Sequence, residues 1–192
     1  MQHNAFALDA VKPSPSPLAT ASPTPAPTPE IEIKCEFKGR YMVRTVSRTV
    51  EPGERVEVYL NTKQDISPKA CKENKYGEVF YLYDQPESNF YDLVDDLILF
   101  DDGCCPPPRG LVVYNLKTKK RLFEASYMTV KILNGNTIEI WDAEDKNVGC
   151  VKGDLERIDR AGMAPITSRQ ILIDVKTNKV MKTKNTRCDE TS

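Results

Sequence analysis

The sequence predicts a mainly β protein: an antiparallel meander or sandwich with propeller-like hairpins, one short helix and a disordered Pro-rich N-terminus. Three observations carry that expectation. Apolar residues recur at every second position over several stretches, the period of a half-buried strand. Turn-forming pairs such as Pro52-Gly53 and Asn134-Gly135 separate those stretches. Half of the 14 prolines fall within the first 30 of 192 residues, which hold no glycine, no cysteine and only Asp9, Lys12 and Glu30 as charged side chains.

The elements follow in chain order. Lys12 to Pro29 reads KPSPSPLATASPTPAPTP. Proline at nearly every second position fixes φ and removes backbone donors, and almost nothing apolar is available to bury. Residues 1–30 are therefore expected to be a disordered tether of polyproline II character, able to reach roughly 60 Å at about 3.1 Å per residue. Residues 31–192 carry equal numbers of acidic and basic side chains and are expected to form a single domain. Ile31, Ile33, Cys35 and Phe37 alternate with Glu32, Lys34, Glu36 and Lys38, a strand. Tyr41 to Val50, a type II turn at Pro52-Gly53, and Val56 to Leu60 read as a hairpin. SPKACKENKYG, from Ser67 to Gly77, reads as a short helix, with serine as cap, proline at the first helical position and glycine past the end. Val79 to Tyr83 resumes the strands, and Ser88 is expected to cap a single helical turn. Leu97 to Phe100 is continuously apolar, the mark of a strand covered on both faces. Further strands are expected at Leu111 to Tyr114, Arg121 to Glu124, Met128 to Leu133, Thr137 to Trp141, Val148 to Val151, Gln170 to Val175 and Val180 to Thr183.

Six cysteines, Cys35, Cys71, Cys104, Cys105, Cys150 and Cys188, all lie beyond the Pro-rich segment. An even, widely spread set beside a secretory-type tail points to disulfides in an oxidising compartment, with the pairing left open. Zinc is disfavoured because no Cys-x2-Cys or Cys-x4-Cys pair occurs. Ala5-Phe6-Ala7 matches the small-x-small end of a signal peptide, and no N-x-[ST] sequon occurs. A bacterial periplasm or cell surface is the expected location. No run of about 18 apolar residues exists to span a membrane, although the tether suits an anchored domain.

Asn115-Leu-Lys-Thr-Lys-Lys120 is echoed by Asp174-Val-Lys-Thr-Asn-Lys179, each between apolar strands. Both resemble the D-x-K-T-G-K turns of bacterial β-propeller blades. The two echoes are 59 residues apart and show no regular period, so a meander or sandwich is favoured over a closed propeller. From about Asp96 to Tyr127, the stretch Arg109-Gly-Leu-Val-Val-Tyr-Asn-Leu-Lys-Thr resembles a P-R-G-L-x-V-Y-D-L-x-T-G-K pattern of bacterial secreted or lipoprotein-like proteins. It departs from that pattern at Lys119, where the pattern has glycine. The resemblance implies a location and a style of fold, not an activity.

The most unusual segment is Asp101-Asp102-Gly-Cys-Cys-Pro-Pro-Pro-Arg109-Gly110. It is the expected binding loop, with Asp101, Asp102 and Arg109 as its candidate contacts. An arginine beside prolines can instead pack on its own loop and bond local carbonyls. Asp92, Asp95, Asp96, Asp101 and Asp102 form an acidic cluster without calcium-loop spacing, read as strand-end carboxylates. Tyr76, Tyr81, Tyr83, Tyr91 and Trp141 are read as packing residues before a binding surface. Zero net charge over residues 31–192 argues against a nucleic-acid partner. The only histidine, His3, lies in the tail, which removes Ser-His-Asp and Cys-His catalysis. No Gly-rich phosphate loop is present, and neither a cofactor nor a metal is expected. The expected function is a non-enzymatic extracytoplasmic binding protein, for instance an inhibitor or immunity-type protein. The alternative is a carboxylate-dependent hydrolase of cell-envelope glycans, which needs two acids about 5–9.5 Å apart.

Overall fold

The computed structural model describes residues 30–49, 51–60, 67–74, 76–103, 106–144 and 150–191. The Pro-rich segment before Glu30 lies outside them. Eleven strands and two helices are described, in the order β1 (Ile31–Lys38), β2 (Tyr41–Arg48), β3 (Glu51–Leu60), α1 (Pro68–Glu73), β4 (Tyr81–Asp84), β5 (Ser88–Val94), β6 (Leu97–Asp102), β7 (Arg109–Asn115), β8 (Lys120–Leu133), β9 (Thr137–Glu144), α2 (Lys152–Arg160), β10 (Ala164–Asp174) and β11 (Lys179–Thr191). Every pairing is antiparallel between sequence neighbours. One sheet runs β1-β2-β3-β4 and the other β11-β10-β9-β8-β7-β6-β5. The protein is mainly β, a meander of hairpins in two sheets.

The two-residue period dictates how these sheets pack. In β6, Ile98 and Phe100 face the four-stranded sheet, where they join Tyr41, Val43, Val56, Val58 and Tyr83. Leu97 and Leu99 face the other way, toward Leu111, Val113, Ile138, Ile140, Ile171 and Ile173. All four of these β6 side chains are fully buried, as the apolar run led us to expect. At about 1.5–3 kcal/mol for each such side chain, this strand is the principal hydrophobic anchor of the fold. Tyr83 stacks on Phe100 with ring centroids 3.7 Å apart, and Tyr76 is likewise buried, so both serve packing. Arg187 lies over the Trp141 ring at 4.3 Å.

Several local expectations need correction. Pro52-Gly53 is not the hairpin turn; both residues lie within β3, where a register shift opens between Ser47 and Arg48 of the partner strand. Gly53 has φ +92, and a Cβ there would sit 2.7 Å from the Glu87 backbone nitrogen, so the bulge is packed against the β4–β5 turn. The helix α1 is capped by the Ser67 side chain, which accepts from Ala70 N–H as expected, but ends at Asn74 with φ 50 rather than at Gly77. Ser88 opens strand β5 instead of capping a helical turn; its hydroxyl donates to Asp102 Oδ1 across the sheet. Cys150 and Val151 are not in a strand, and Val151 precedes a second helix, α2. The last strand extends well past Thr183, to Thr191.

The helix α2 escaped the sequence reading because only Leu155 and Ile158 mark its apolar side. Its ends were nevertheless written in the sequence. Asp154 in the first turn and Arg157 and Arg160 in the last complement the helix dipole. Gly162, at φ +69, closes a Schellman motif in which Met163 N–H donates to Ile158 O (3.2 Å) and Gly162 N–H to Asp159 O (2.9 Å).

Candidate functional site

Gly103 follows β6, and Pro106, Pro107 and Pro108 precede β7. Pro106, Pro107 and Pro108 are exposed. Cys104 and Cys105 lie outside the described residues. What the structure does define is the base of this loop. Asp101 and Asp102 end β6, and Arg109 and Gly110 begin β7, with Asp102 directly opposite Gly110. A Cβ on Gly110 would meet the Asp102 Cβ at 2.9 Å, so glycine lets the two strands close at this point. Gly103 N–H donates to Glu87 O at 3.1 Å, tying the loop to the β4–β5 turn.

The candidate contact Arg109 is turned onto its own loop. Its Nη2 donates to Gly103 O at 2.9 Å and lies 2.5 Å from Asp101 Oδ2. Its side chain is 30% exposed, and that of Asp101 is 11% exposed. The pair is a brace: one guanidinium spans the two ends of the loop and neutralises the carboxylate between them. Burial raises the Asp101 carboxyl above its ordinary range, against the pull of the Tyr127 hydroxyl and Arg109. Burial and the Asp101 carboxylate in turn push the Tyr127 phenol up. Tyr127 packs edge-on against Tyr91 with centroids 6.4 Å apart. Asp102 points to the opposite face, toward Ser88. The three predicted loop residues thus lie together at the base, with Asp101 and Arg109 in contact and Asp102 turned away.

A second buried carboxyl, Asp142 on β9, is also raised by burial, opposed by Lys182. The charges acting on it are those of Lys182, Glu144 and Arg169; those acting on Asp101 are Arg109 and Asp102. The two sets do not overlap. Three strand spacings separate β6 from β9, roughly 14 Å between the two backbones. Two open grooves also lie among the described residues. One of about 320 Å³ is bordered by Arg48, Gly53, Glu54, Arg55 and Asp84. Another, of about 430 Å³, lies between Leu60, Tyr76, Val79, Phe80 and Lys119.

The chemistry missed by sequence lies elsewhere in the acidic cluster. Asp96, in the β5–β6 turn, receives Arg40 and the Tyr41 hydroxyl (2.7 Å) on Oδ1 and Lys117 Nζ (2.5 Å) on Oδ2. This carboxylate joins the β1–β2 turn of one sheet to the β5–β6 and β7–β8 turns of the other. Burial acts to raise its pKa, but Lys117, Tyr41 and Arg40 outweigh that and hold it below the usual carboxylate range. Tyr41 itself is pushed up to about 12 by burial and by the Asp96 carboxylate. Among the described residues no group of three or more His, Cys, Asp or Glu side chains is arranged to hold a metal ion.

Two disulfides complete the picture. Cys35–Cys71 ties β1 to α1, and Cys150–Cys188 ties the approach to α2 to β11. No described helix is long and apolar enough to cross a membrane. Compared with models of known protein families the chain matches none, and no similar curated protein sequence was found.

Proposed function

We propose that the protein is an extracytoplasmic, non-enzymatic binding module, held on its Pro-rich tether and presenting the loop of residues 103–108 to a protein or envelope partner. The observation that carries this reading is the construction of the loop: an exposed run of three prolines on a base braced by Asp101, Arg109 and Gly103. Prolines and a cross-linked base restrict the Pro106–Pro108 run, so little further ordering of it is required when a partner binds. Disulfides at both ends of the meander suit an oxidising compartment. In this reading Arg109 positions the loop and does not itself plug the partner, which modifies the simplest inhibitor scheme.

The test is site-directed photocrosslinking in the envelope of the producing cell. A photoreactive residue at Pro107 should give a discrete adduct, and one at Lys176 in the β10–β11 turn should not. Arg109→Ala should weaken the Pro107 adduct several-fold by loosening the base. Equal labelling from both positions, or no adduct from Pro107, would refute the loop as the contact.

A further inference from the structure

The outer edge of β1 carries a pattern that the binding loop does not use. β1 is the terminal strand of the four-stranded sheet, and among the described residues no strand pairs with its outer side. Thr49 N–H donates to Glu30 O at 3.1 Å, and the β1–β2 register continues without a shift to Lys38 opposite Tyr41. Hydrogen-bonded pairs alternate along an antiparallel ladder. The even-numbered residues of β1 therefore bond to β2, and the N–H and C=O groups of Ile31, Ile33, Cys35 and Phe37 point away from it. The apolar side chains along this edge are poorly covered: Ile31 is 55% and Phe37 36% exposed.

We infer that this edge pairs with the same edge of a second copy of the chain, antiparallel and about a two-fold axis at Cys35, to form one continuous eight-stranded sheet. Hydrogen bonding requires the odd-numbered residues to face one another, which leaves only a few registers. The charges choose among them. With Cys35 opposite Cys35, Glu32 lies opposite Lys38 and Lys34 opposite Glu36, each twice by symmetry, so all four cross-strand charge pairs are attractive. A shift of two residues in the partner places Lys34 opposite Lys34 and Glu32 opposite Glu36, or Glu36 opposite Glu36 and Lys34 opposite Lys38. These charged pairs occupy the non-hydrogen-bonded positions, where opposed side chains approach most closely. On the other face, Ile33 meets Phe37 of the second copy on each side of the axis.

The fold leaves room for this pairing. The helix α1 leans inward from β1, with Arg44 Nε donating to Cys71 O and the Asn74 side-chain amide 2.7 Å from the Tyr59 hydroxyl. Within one chain, Lys34 already pairs with Glu32 at 3.0 Å, and Lys38 with Glu36 at 3.2 Å and Asp92 at 2.9 Å; pairs open to solvent exchange readily because each is worth little in water. Eight residues per chain is a short interface beside the 20–30 of a standard one, so the dimer is reversible.

Sedimentation velocity over a concentration series tests the inference on the full, oxidised chain. The native protein should move from the 21.7 kDa monomer to twice that mass. Lys34→Glu alone and Glu36→Lys alone each set like charges against one another, and should each weaken self-association by roughly tenfold or more. An equimolar mixture of the two variants restores opposite charges at both positions and should form a heterodimer. Circular dichroism and thiol titration verify that both variants remain folded and cross-linked. A native chain that stays monomeric throughout, single reversals without effect, or a mixture that fails to associate would overturn the proposal.

Discussion

At the β1 end of the meander a disulfide spans 36 residues and holds a six-residue helix against the sheet. Beneath that helix lies a closed polar network. Arg44 Nη1 reaches Glu57 Oε2 at 2.7 Å, the Tyr59 hydroxyl donates to the same oxygen at 2.6 Å, and Arg44 Nε bonds Cys71 O. The side chains of Arg44 and Glu57 are 9% and 4% exposed. At the β11 end a disulfide spans 38 residues, but α2 is seated by the fully buried Ile158 and by its own Schellman cap. Its ion pair, Arg157 to Glu190 at 2.7 Å, is roughly half exposed on both sides. The same covalent closure is thus filled in one place with buried charge and in the other with hydrocarbon. A buried pair adds little over an apolar substitute while intact, yet costs a great deal when one member is removed.

The largest contrast should expose that asymmetry directly. Arg44→Ala leaves the Glu57 carboxylate beneath α1 held by the Tyr59 hydroxyl and by Arg55 Nε at 2.9 Å, and removes a bond to the Cys71 carbonyl, so chemical denaturation should show a loss of about 1.5–3 kcal/mol. Arg157→Ala should cost at most about 1 kcal/mol, as an exposed pair does. Equal losses at the two ends would end the contrast. Next come the disulfides. Their spans are nearly equal, so the chain-entropy contribution should be similar, roughly 2–4 kcal/mol each. Replacing Cys35 and Cys71 by serine should still cost more than replacing Cys150 and Cys188, by about 1 kcal/mol. A helix of two turns does not persist unaided, and when α1 lifts, the Arg44 network loses its lid. Urea midpoints of the two double variants decide the order.

Much of this architecture was legible in the sequence, for identifiable reasons. Strict alternation placed β1, and the run Leu97 to Phe100 marked the strand buried on both faces. Ser67 and Pro68 marked the start of α1. The disulfide cysteines were visible, but their partners were not, because pairing depends on which strands end up at the edges. Pro52-Gly53 misled because a glycine at positive φ serves a bulge as well as a turn. The helix α2 was missed because its terminal signals accompany too few apolar positions. At the candidate site, Asp101, Asp102 and Arg109 were singled out by composition alone. That Arg109 would grip Gly103 and Asp101 follows from the β6–β7 register, which no local pattern reveals. The role of Asp96 was equally hidden, since Arg40, Tyr41 and Lys117 come from turns far apart in the chain.

The junction between the sheets offers a third test, by pH. Asp96 and Glu57 are both held below their ordinary values of 3.8 and 4.5. Each stabilises the folded state fully above those values, and the contribution is lost as pH falls through the depressed folded pKa. Asp101 runs the other way: its raised value favours the fold at low pH, and that contribution is lost as pH rises through it. Stability measured by urea unfolding should therefore fall as the solution is acidified below about pH 4.5. Asp96→Asn should be less stable at neutral pH and show a shallower fall. An unchanged acid slope in that variant would detach Asp96 from the account of how the sheets are joined.

The smallest effect concerns the two echoed turns. Asn115 Oδ1 accepts Thr118 N–H at 2.9 Å, and Asp174 Oδ1 accepts Thr177 N–H at 2.7 Å. The turns also touch, through Asn115 Nδ2 and Asn178 Oδ1 at 3.1 Å. Their fifth residues, Lys119 and Asn178, are both left-handed, with φ 54 and 58. Asparagine tolerates that conformation, but lysine is strained there by about 1 kcal/mol. Lysine has a compensation, because its Nζ lies 4.9 Å above the Phe80 ring, a contact worth about 0.5–1 kcal/mol. Lys119→Gly should accordingly leave stability almost unchanged. In a Phe80→Leu background the ring is gone and the same change should stabilise by about 1 kcal/mol. The coupling between the two sites, read from a double-mutant cycle, measures how far an aromatic ring on the β3–β4 connection accounts for a lysine at a left-handed position.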